Sequence, residues 1–389
     1  MYTINPNIES LYCIKCGKTY PLADYYLGCP QCFHKGENAA LSFNYNSLEH
    51  NPSTSKGIQK YSETLPYTSL PTLGEGNTPV VKHEALATQL GLKAVYLKNE
   101  FQNPTGSHKD RMSPLVIARA LELGKKGVVV ASSGNAGFSI AAYAANSGLQ
   151  CTVISPRTIS NIYRTAIEST GANLVILDAE QDTTQGRWAY MQNLVETQDL
   201  YPATNYILPP VGSNCFGVQG YKTIAYEIFE DFGDSIPEFI FVPVSRGDLL
   251  WGIFEGFKEI HQLGYIKVLP KLICVEPFER VTQVLKGADY RSRFQGNYAL
   301  TGSIGGNTVT YQALKAVQES GGDAIATSQD DVIASVKAFS EAGVYLETSS
   351  AVTINALKLA ISTHKLDKNS RVLMIATSNG FKNDPSIMR

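Results

Sequence analysis

Apolar positions along this chain switch between two spacings, and the switch marks out its elements. From residue 127 onward, short unbroken apolar runs alternate with longer stretches spaced for helices. Gly127–Ala131, Cys151–Ile154 and Leu174–Leu177 read as buried strands, and Phe138–Asn146, Asn161–Ser169 and the stretch from Thr184 to Gln198 as the helices between them. The same alternation returns with strands at Phe239–Val244, Leu272–Glu276 and Val372–Ala376 and a helix at Leu249–Lys258. It predicts an α/β fold with parallel-type sheets flanked by helices. Upstream, Met112–Leu123 has helical spacing, with Pro114 suited to a first turn, and Val95–Glu100 reads as a strand leading toward it. Residues 46–64 are polar and read as a linker.

Composition narrows the class. A chain of 389 residues with 43% hydrophobic and 17% charged residues can bury large cores and fits two domains. The net charge of -2, without blocks of like charge, gives no reason to expect nucleic acid or an anionic membrane as partner. The first residues are too polar for an export signal, and no apolar run approaches membrane-spanning length. A cytoplasmic setting is therefore expected, where paired cysteines more often signal metal than disulfide. Cys13, Cys16, Cys29 and Cys32 form two Cys-x-x-Cys pairs separated by twelve residues. Each pair turns two thiolates toward one point, and two pairs close a tetrahedron around zinc. Residues 1–45 are thus expected to be a small zinc-binding lobe. Gly17-Lys18-Thr19 is no phosphate loop, because Tyr12 stands where such a loop needs glycine.

Four turns carry candidate chemistry. Asn103-Pro-Thr-Gly-Ser-His-Lys-Asp-Arg111 sets Lys109 just after a turn and at the head of the Met112–Leu123 helix. The positive end of a helix disfavours a further positive charge, which suits an amine that must attack a carbonyl. Ser132-Ser-Gly-Asn-Ala-Gly137 follows the strand at 127, and such turns at the carboxyl edge of a parallel sheet bind ligands, their N–H groups holding anions. Ser245-Arg-Gly-Asp248 lies between a strand and a helix, with Asp248 expected to cap the helix. Thr377-Ser-Asn-Gly380 ends the last strand.

In this order the four segments resemble the ligand segments of fold-type II pyridoxal-phosphate (PLP) enzymes, which include threonine synthase, threonine dehydratase and cysteine synthase. Gly76-Asn-Thr-Pro79, Gly220-Tyr-Lys-Thr223 and Glu347-Thr-Ser-Ser-Ala351 extend the resemblance. It implies a two-domain fold-type II PLP enzyme. The large PLP-binding domain would take residues 46–111 and 212–389, and the small domain residues 112–211 with the Ser132–Asn135 loop. By resemblance Lys109 carries the cofactor and takes the substrate's α-proton. Asn135 meets the phenolic oxygen, and Ser132, Ser133, Gly134 and Ala136 grip the substrate carboxylate. Ser245, Arg246, Gly247, Asp248 and Leu249 hold the phosphate, and Thr377, with Ser378 as understudy, faces the pyridine nitrogen. A neutral hydroxyl there favours elimination or replacement over transamination. A small amino-acid substrate and a homodimer complete the expectation.

The four-cysteine start is similar to that of many threonine synthase-like chains, which implies conversion of O-phosphohomoserine to threonine and phosphate. Two departures stand against a full match. Gly217 occupies the place of an arginine that helps bind the substrate phosphate, so O-phosphohomoserine is expected to be a poor substrate and Gly217→Arg to improve it. His108 stands where the synthases carry phenylalanine. The alternatives are a β-lyase, dehydratase or β-replacement enzyme acting on serine, threonine or a β-substituted alanine, and a non-catalytic binding protein of the same fold. A nicotinamide-dependent dehydrogenase is disfavoured, since no Gly-x-Gly-x-x-Gly follows a predicted strand.

Overall fold

A computed structural model describes residues 2–49, 52–363 and 365–384. The chain forms two compact units, one of Met1–Asn77 with Asn103–Thr223 and the other of Thr78–Gln102 with Ile224–Arg389.

The first unit contains two sheets. One is antiparallel, in the order Thr19–Tyr20, Ile8–Cys13, Leu41–Tyr45, and carries the cysteine lobe. The other is parallel throughout, in the order Asn173–Ile176, Gln150–Ser155, Gly127–Ala131, Leu200–Pro202. Val128, Val129 and Val130 are all fully buried, which is why this strand reads as an unbroken apolar run: a parallel strand is covered on both faces. The helices Asn135–Asn146, Asn161–Ser169 and Thr184–Gln198 follow the expected alternation. Leu200–Pro202 is too short to show any period.

Residues 57–64 of the polar stretch are more ordered than a linker. Gly57–Thr64 forms a 3₁₀ helix that buries Ile58, Tyr61 and Thr64. Ile58, Leu65 and Tyr67 join the hydrophobic cluster of the cysteine lobe, and Asn5 donates to the carbonyls of Glu63 and Leu65 at 2.8 and 2.9 Å. A few apolar anchors outweigh the polar majority, because each buried side chain contributes about 1.5–3 kcal/mol.

The second unit holds a six-stranded sheet in the order Asp323–Ala326, Lys271–Glu276, Phe239–Pro243, Arg371–Ile375, Ala94–Lys98, Val80–Lys82. All its pairs are parallel except the last. Its core packs Val95, Leu97, Phe241 and Met374 from the strands against Leu86, Phe339 and Leu357 from helices. Among the described residues no helix is long and apolar enough to cross a membrane.

Residues 46–77, 103–111 and 212–223 group with the first unit, whereas the expected boundaries put them with 224–389. Side-chain bonds explain the grouping: Ser139 Oγ donates to Asp110 Oδ1 at 2.6 Å, and Arg111 Nη1 donates to Thr223 Oγ1 at 2.9 Å.

Within the second unit Lys98 Nζ meets Glu227 Oε2 at 2.7 Å, with the two side chains 0% and 5% exposed, and also donates to the Thr78 carbonyl at 2.6 Å. Removing one member of such a pair strands the other charge away from water. Lys98→Met is therefore expected to lower unfolding free energy by about 3–5 kcal/mol, seen as an earlier denaturant midpoint. A midpoint equal to that of the unmodified protein would show that Glu227 finds another cation.

Candidate active site

In the first unit, the lysine loop is built on a buried carboxylate. Asp110 accepts from Thr105 N and Thr105 Oγ1, each at 2.6 Å, and from Ser139 Oγ at 2.6 Å. Ser139 lies in the helix that begins at Asn135, so one carboxylate ties the 103–111 loop to the 132–137 turn. Lys109 stands in a 3₁₀ turn, His108–Arg111, immediately ahead of the helix Ser113–Glu122 rather than inside its first turn. Its Nζ donates to Tyr221 Oη at 3.3 Å. The buried Ser107 Oγ next to this turn has no hydrogen-bond partner among the described residues.

The turn after the strand at 127 is shorter than expected, since Asn135 already begins the helix. Gly134 is the N-cap of a twelve-residue helix, whose dipole favours an anion at this end. Ser132 Oγ accepts from Gly137 N at 3.0 Å, which folds the turn on itself. Asn135 is buried, Ser132, Gly134 and Ala136 half-buried, and Ser133 exposed.

Gly217 corrects one expectation. It lies in the short helix Cys215–Val218, whose Asn214 side chain accepts from Phe216 N and Gly217 N. A Cβ here would stand 2.7 Å from Met112 Cγ and 2.8 Å from Val116 Cγ2. The position is a close helix–helix approach with no space for an arginine, so Gly217→Arg is not a route to a phosphate site. Lys222, the nearest alternative in sequence, is fully buried, donates to the Thr64 carbonyl at 2.7 Å and lies over the Tyr45 ring.

In the second unit the 245–249 turn leads into the fifteen-residue helix Asp248–Gln262. Its N-cap is Gly247, at φ 78°, with no side-chain cap bond. A Cβ on Gly247 would meet the Ala313 Cβ at 2.5 Å, so the turn needs glycine twice over. Asp248 was expected to cap the helix. It occupies the first turn instead, where its charge still complements the helix dipole, and its Oδ1 accepts from Gln312 Nε2 at 2.6 Å. Ser245 Oγ donates to the Gly305 carbonyl at 2.9 Å, and the Arg246 carbonyl accepts from Thr310 Oγ1 and Gln312 Nε2. Burial lowers the Arg246 guanidinium from its ordinary pKa, opposed by the charge of Asp248. Leu249 is buried. The Ser245 and Asp248 side chains are thus both engaged within the second unit.

Arg280 holds the turn in place and is not evident in the sequence pattern. It is 1% exposed and donates to the carbonyls of Val244, Ile304 and Gly306 at 3.0, 3.2 and 2.8 Å. The 302–307 loop is thereby fastened beside the turn. Thr377 is buried, its N–H donating to Ser350 Oγ at 2.9 Å, and the Ser378 carbonyl accepts from Glu347 N at 3.0 Å. The segment at 347–351 thus supports the one at 377–378.

The four cysteines of the lobe also converge. The Sγ atoms of Cys13, Cys16, Cys29 and Cys32 all lie within 4.8 Å of one another. Burial raises the Cys13 thiol to about 11. Burial would raise Cys29 too, but hydrogen bonds from Tyr20 Oη and the Cys32 N–H bring it down to about 7. Four thiols converging on one point are a donor set for zinc.

A family model described as "Pyridoxal-phosphate dependent enzyme" matches residues 71–378. The threonine synthase of Methanocaldococcus jannaschii is 30% identical, over 97% of this chain and 94% of its own length. That of Methanosarcina acetivorans is 27% identical over 97% and 93%. Among solved structures, the processed threonine deaminase isoform 2 of Solanum lycopersicum superimposes with a TM-score of 0.64 at 25% identity, covering 78% of this chain and 83% of its own.

Overpacking by a single methyl group typically costs about 1–3 kcal/mol, against at most about 1 kcal/mol gained in helix propensity. Gly217→Ala is expected to lower the melting temperature by several degrees, and Gly217→Arg to lower it further. Unchanged melting of the arginine variant would show that Met112 and Val116 yield freely.

Proposed function

The chain belongs to the pyridoxal-phosphate dependent enzymes, and within them we propose that it converts O-phosphohomoserine to threonine and phosphate. The match to a threonine synthase at 30% identity along 97% of the chain carries this reading. It is a PLP-dependent lyase of threonine synthase-like function, in amino-acid metabolism.

The residues present fit the cofactor. Two helices begin at glycine N-caps, which leave room for a ligand at the helix end, and an orphaned hydroxyl lies beside the lysine turn. PLP, when bound, supplies an electron sink for the bond broken at the substrate's α-carbon. Lys109 Nζ would hold the cofactor and, once released, take the α-proton. Asn135 would donate to the phenolic oxygen. The N–H groups at Ser132, Ser133, Gly134 and Ala136 would orient the substrate carboxylate. The backbone from Ser245 through Leu249 would hold the cofactor phosphate, braced by Arg280. Thr377 Oγ1 would stand at the pyridine nitrogen without donating a full charge. A homodimer and a cytoplasmic setting belong to the proposal on the family resemblance alone.

The second reading is a β-elimination or β-replacement on serine, threonine or a β-substituted alanine. Gly217 favours it, because the arginine that binds the substrate phosphate in threonine synthases is missing and cannot be accommodated there. Losing one charge-assisted contact costs about 1.5–3 kcal/mol, roughly ten- to a hundred-fold in affinity. Steady-state kinetics decide between them. Against the expectation drawn from Gly217 alone, the threonine synthase match leads us to expect O-phosphohomoserine to show the highest kcat/KM and to yield threonine, with Lys109→Ala removing both turnover and the lysine-linked absorbance near about 410–430 nm. Preference for a β-substituted amino acid would give the second reading. A Lys109→Ala protein that keeps colour and turnover would remove both.

Zinc bound by Cys13, Cys16, Cys29 and Cys32 is part of the same proposal, supported by the convergence of the four thiols. Three of these cysteines belong to one hydrophobic cluster with Leu115, Ala118 and Phe216. Metal analysis under reducing conditions is expected to give one zinc per chain. Chelation should lower the melting temperature without removing a cofactor contact. A stoichiometrically metal-free protein that melts normally would end the zinc assignment.

A further inference from the structure

We propose that the Tyr221 hydroxyl is a positioning group for the Lys109 amine, tethering Nζ whenever that amine is not bonded to cofactor. The inference rests on the reading of Lys109 given above and adds a residue to it.

Tyr221 closes the 3₁₀ turn Gln219–Tyr221 at the head of the helix Lys222–Phe232 and is fully buried. Its Oη accepts from Lys109 Nζ at 3.3 Å and lies 3.6 Å from Met112 Sδ. A thioether is a weak acceptor, so the phenol oxygen keeps its stronger interaction for the amine. The ring is held as well as the hydroxyl. His108, the residue before the lysine, lies against it with ring centroids 5.7 Å apart. The departure from phenylalanine at His108 therefore falls on Tyr221.

The two turns cannot drift apart independently. Arg111 Nη1 donates to Thr223 Oγ1 at 2.9 Å, and Thr223 Oγ1 donates to the Gly220 carbonyl at 2.6 Å. The lysine turn and the tyrosine turn are thus joined by a second bond beside the Lys109–Tyr221 contact.

The chemistry of a phenol suits the task. It accepts a hydrogen bond from an ammonium and donates one to a neutral amine. Lysine cycles through both forms in a reaction where its nitrogen is released and then takes a proton. Its four-carbon stem is flexible, and an amine free to swing loses the alignment that proton transfer needs. A fixed hydroxyl within reach keeps Nζ in one place without forming a bond that must later be broken. No proton leaves Tyr221 in this scheme.

Tyr221→Phe in the full-length protein tests it. Cofactor-free protein is mixed with pyridoxal phosphate, and the growth of absorbance near about 410–430 nm is followed, since only a lysine-linked cofactor supplies it. Turnover of O-phosphohomoserine and thermal melting are measured alongside. The expected result is that the rate of absorbance growth and kcat both fall by up to about tenfold, the usual weight of one hydrogen bond. KM, the final absorbance and the melting temperature should stay as in the unmodified protein. Wild-type rates in the variant overturn the proposal. So does a loss that tracks a lower melting temperature or final absorbance, which marks a packing role, and so does a change confined to KM. Failure of the Lys109 reading itself is seen separately, as absorbance that never grows in the unmodified protein or that survives Lys109→Ala.

Discussion

The buried carboxylate of Asp110 is the interaction on which the first unit's chemistry depends. It takes three short hydrogen bonds, from Thr105 twice and from Ser139 once. A carboxylate removed from water is tolerated only when its lone pairs are met in this way. Because those donors come from the lysine loop and from the helix that starts at Asn135, satisfying the charge also sets the two ligand segments in register. Pulling the lysine loop away from that helix would cost Asp110 its bond from Ser139. The second unit uses the converse device: a buried cation, Arg280, gathers the carbonyls of Val244, Ile304 and Gly306 and so shapes the turn ahead of Asp248.

The cysteine lobe is part of the first unit's core. Its strands share a hydrophobic cluster with Leu115 and Ala118 of the helix that follows Lys109. Arg119, on the same helix, donates to Asp24 Oδ2 through Nη2 at 2.5 Å, and Tyr201 Oη donates to Asp24 Oδ1 at 2.7 Å. The lobe therefore buttresses the helix behind the lysine turn while supplying none of the proposed cofactor contacts. That division gives the lobe a structural role and leaves the proposed chemistry to the turns at the strand ends.

Much of this was legible from spacing. Parallel strands covered on both faces leave continuous apolar runs, so Gly127–Ala131 and Phe239–Pro243 stood out, and the two cysteine pairs declared a common point. What escaped depends on contacts distant in the chain. Nothing around Arg280 or Tyr221 marks their roles locally, since the carbonyls that Arg280 gathers begin 24 residues away and Lys109 lies 112 residues from Tyr221. Gly57–Thr64 was obscured by its polar majority. Gly217 was legible as a departure but not as a cause: only the packing against Met112 and Val116 shows that the missing side chain is a steric requirement. Asp248 was misread because a glycine with positive φ took the cap position before it.

The central claim is that Lys109 Nζ, held in the 103–111 loop, is the atom that bonds the cofactor. Its most direct measurement is chemical. Protein loaded with pyridoxal phosphate is treated with borohydride, digested, and its peptides sequenced by mass. The account predicts a single phosphopyridoxyl group on Lys109. Attachment to Lys98, Lys222 or any other lysine, or none at all, would contradict it.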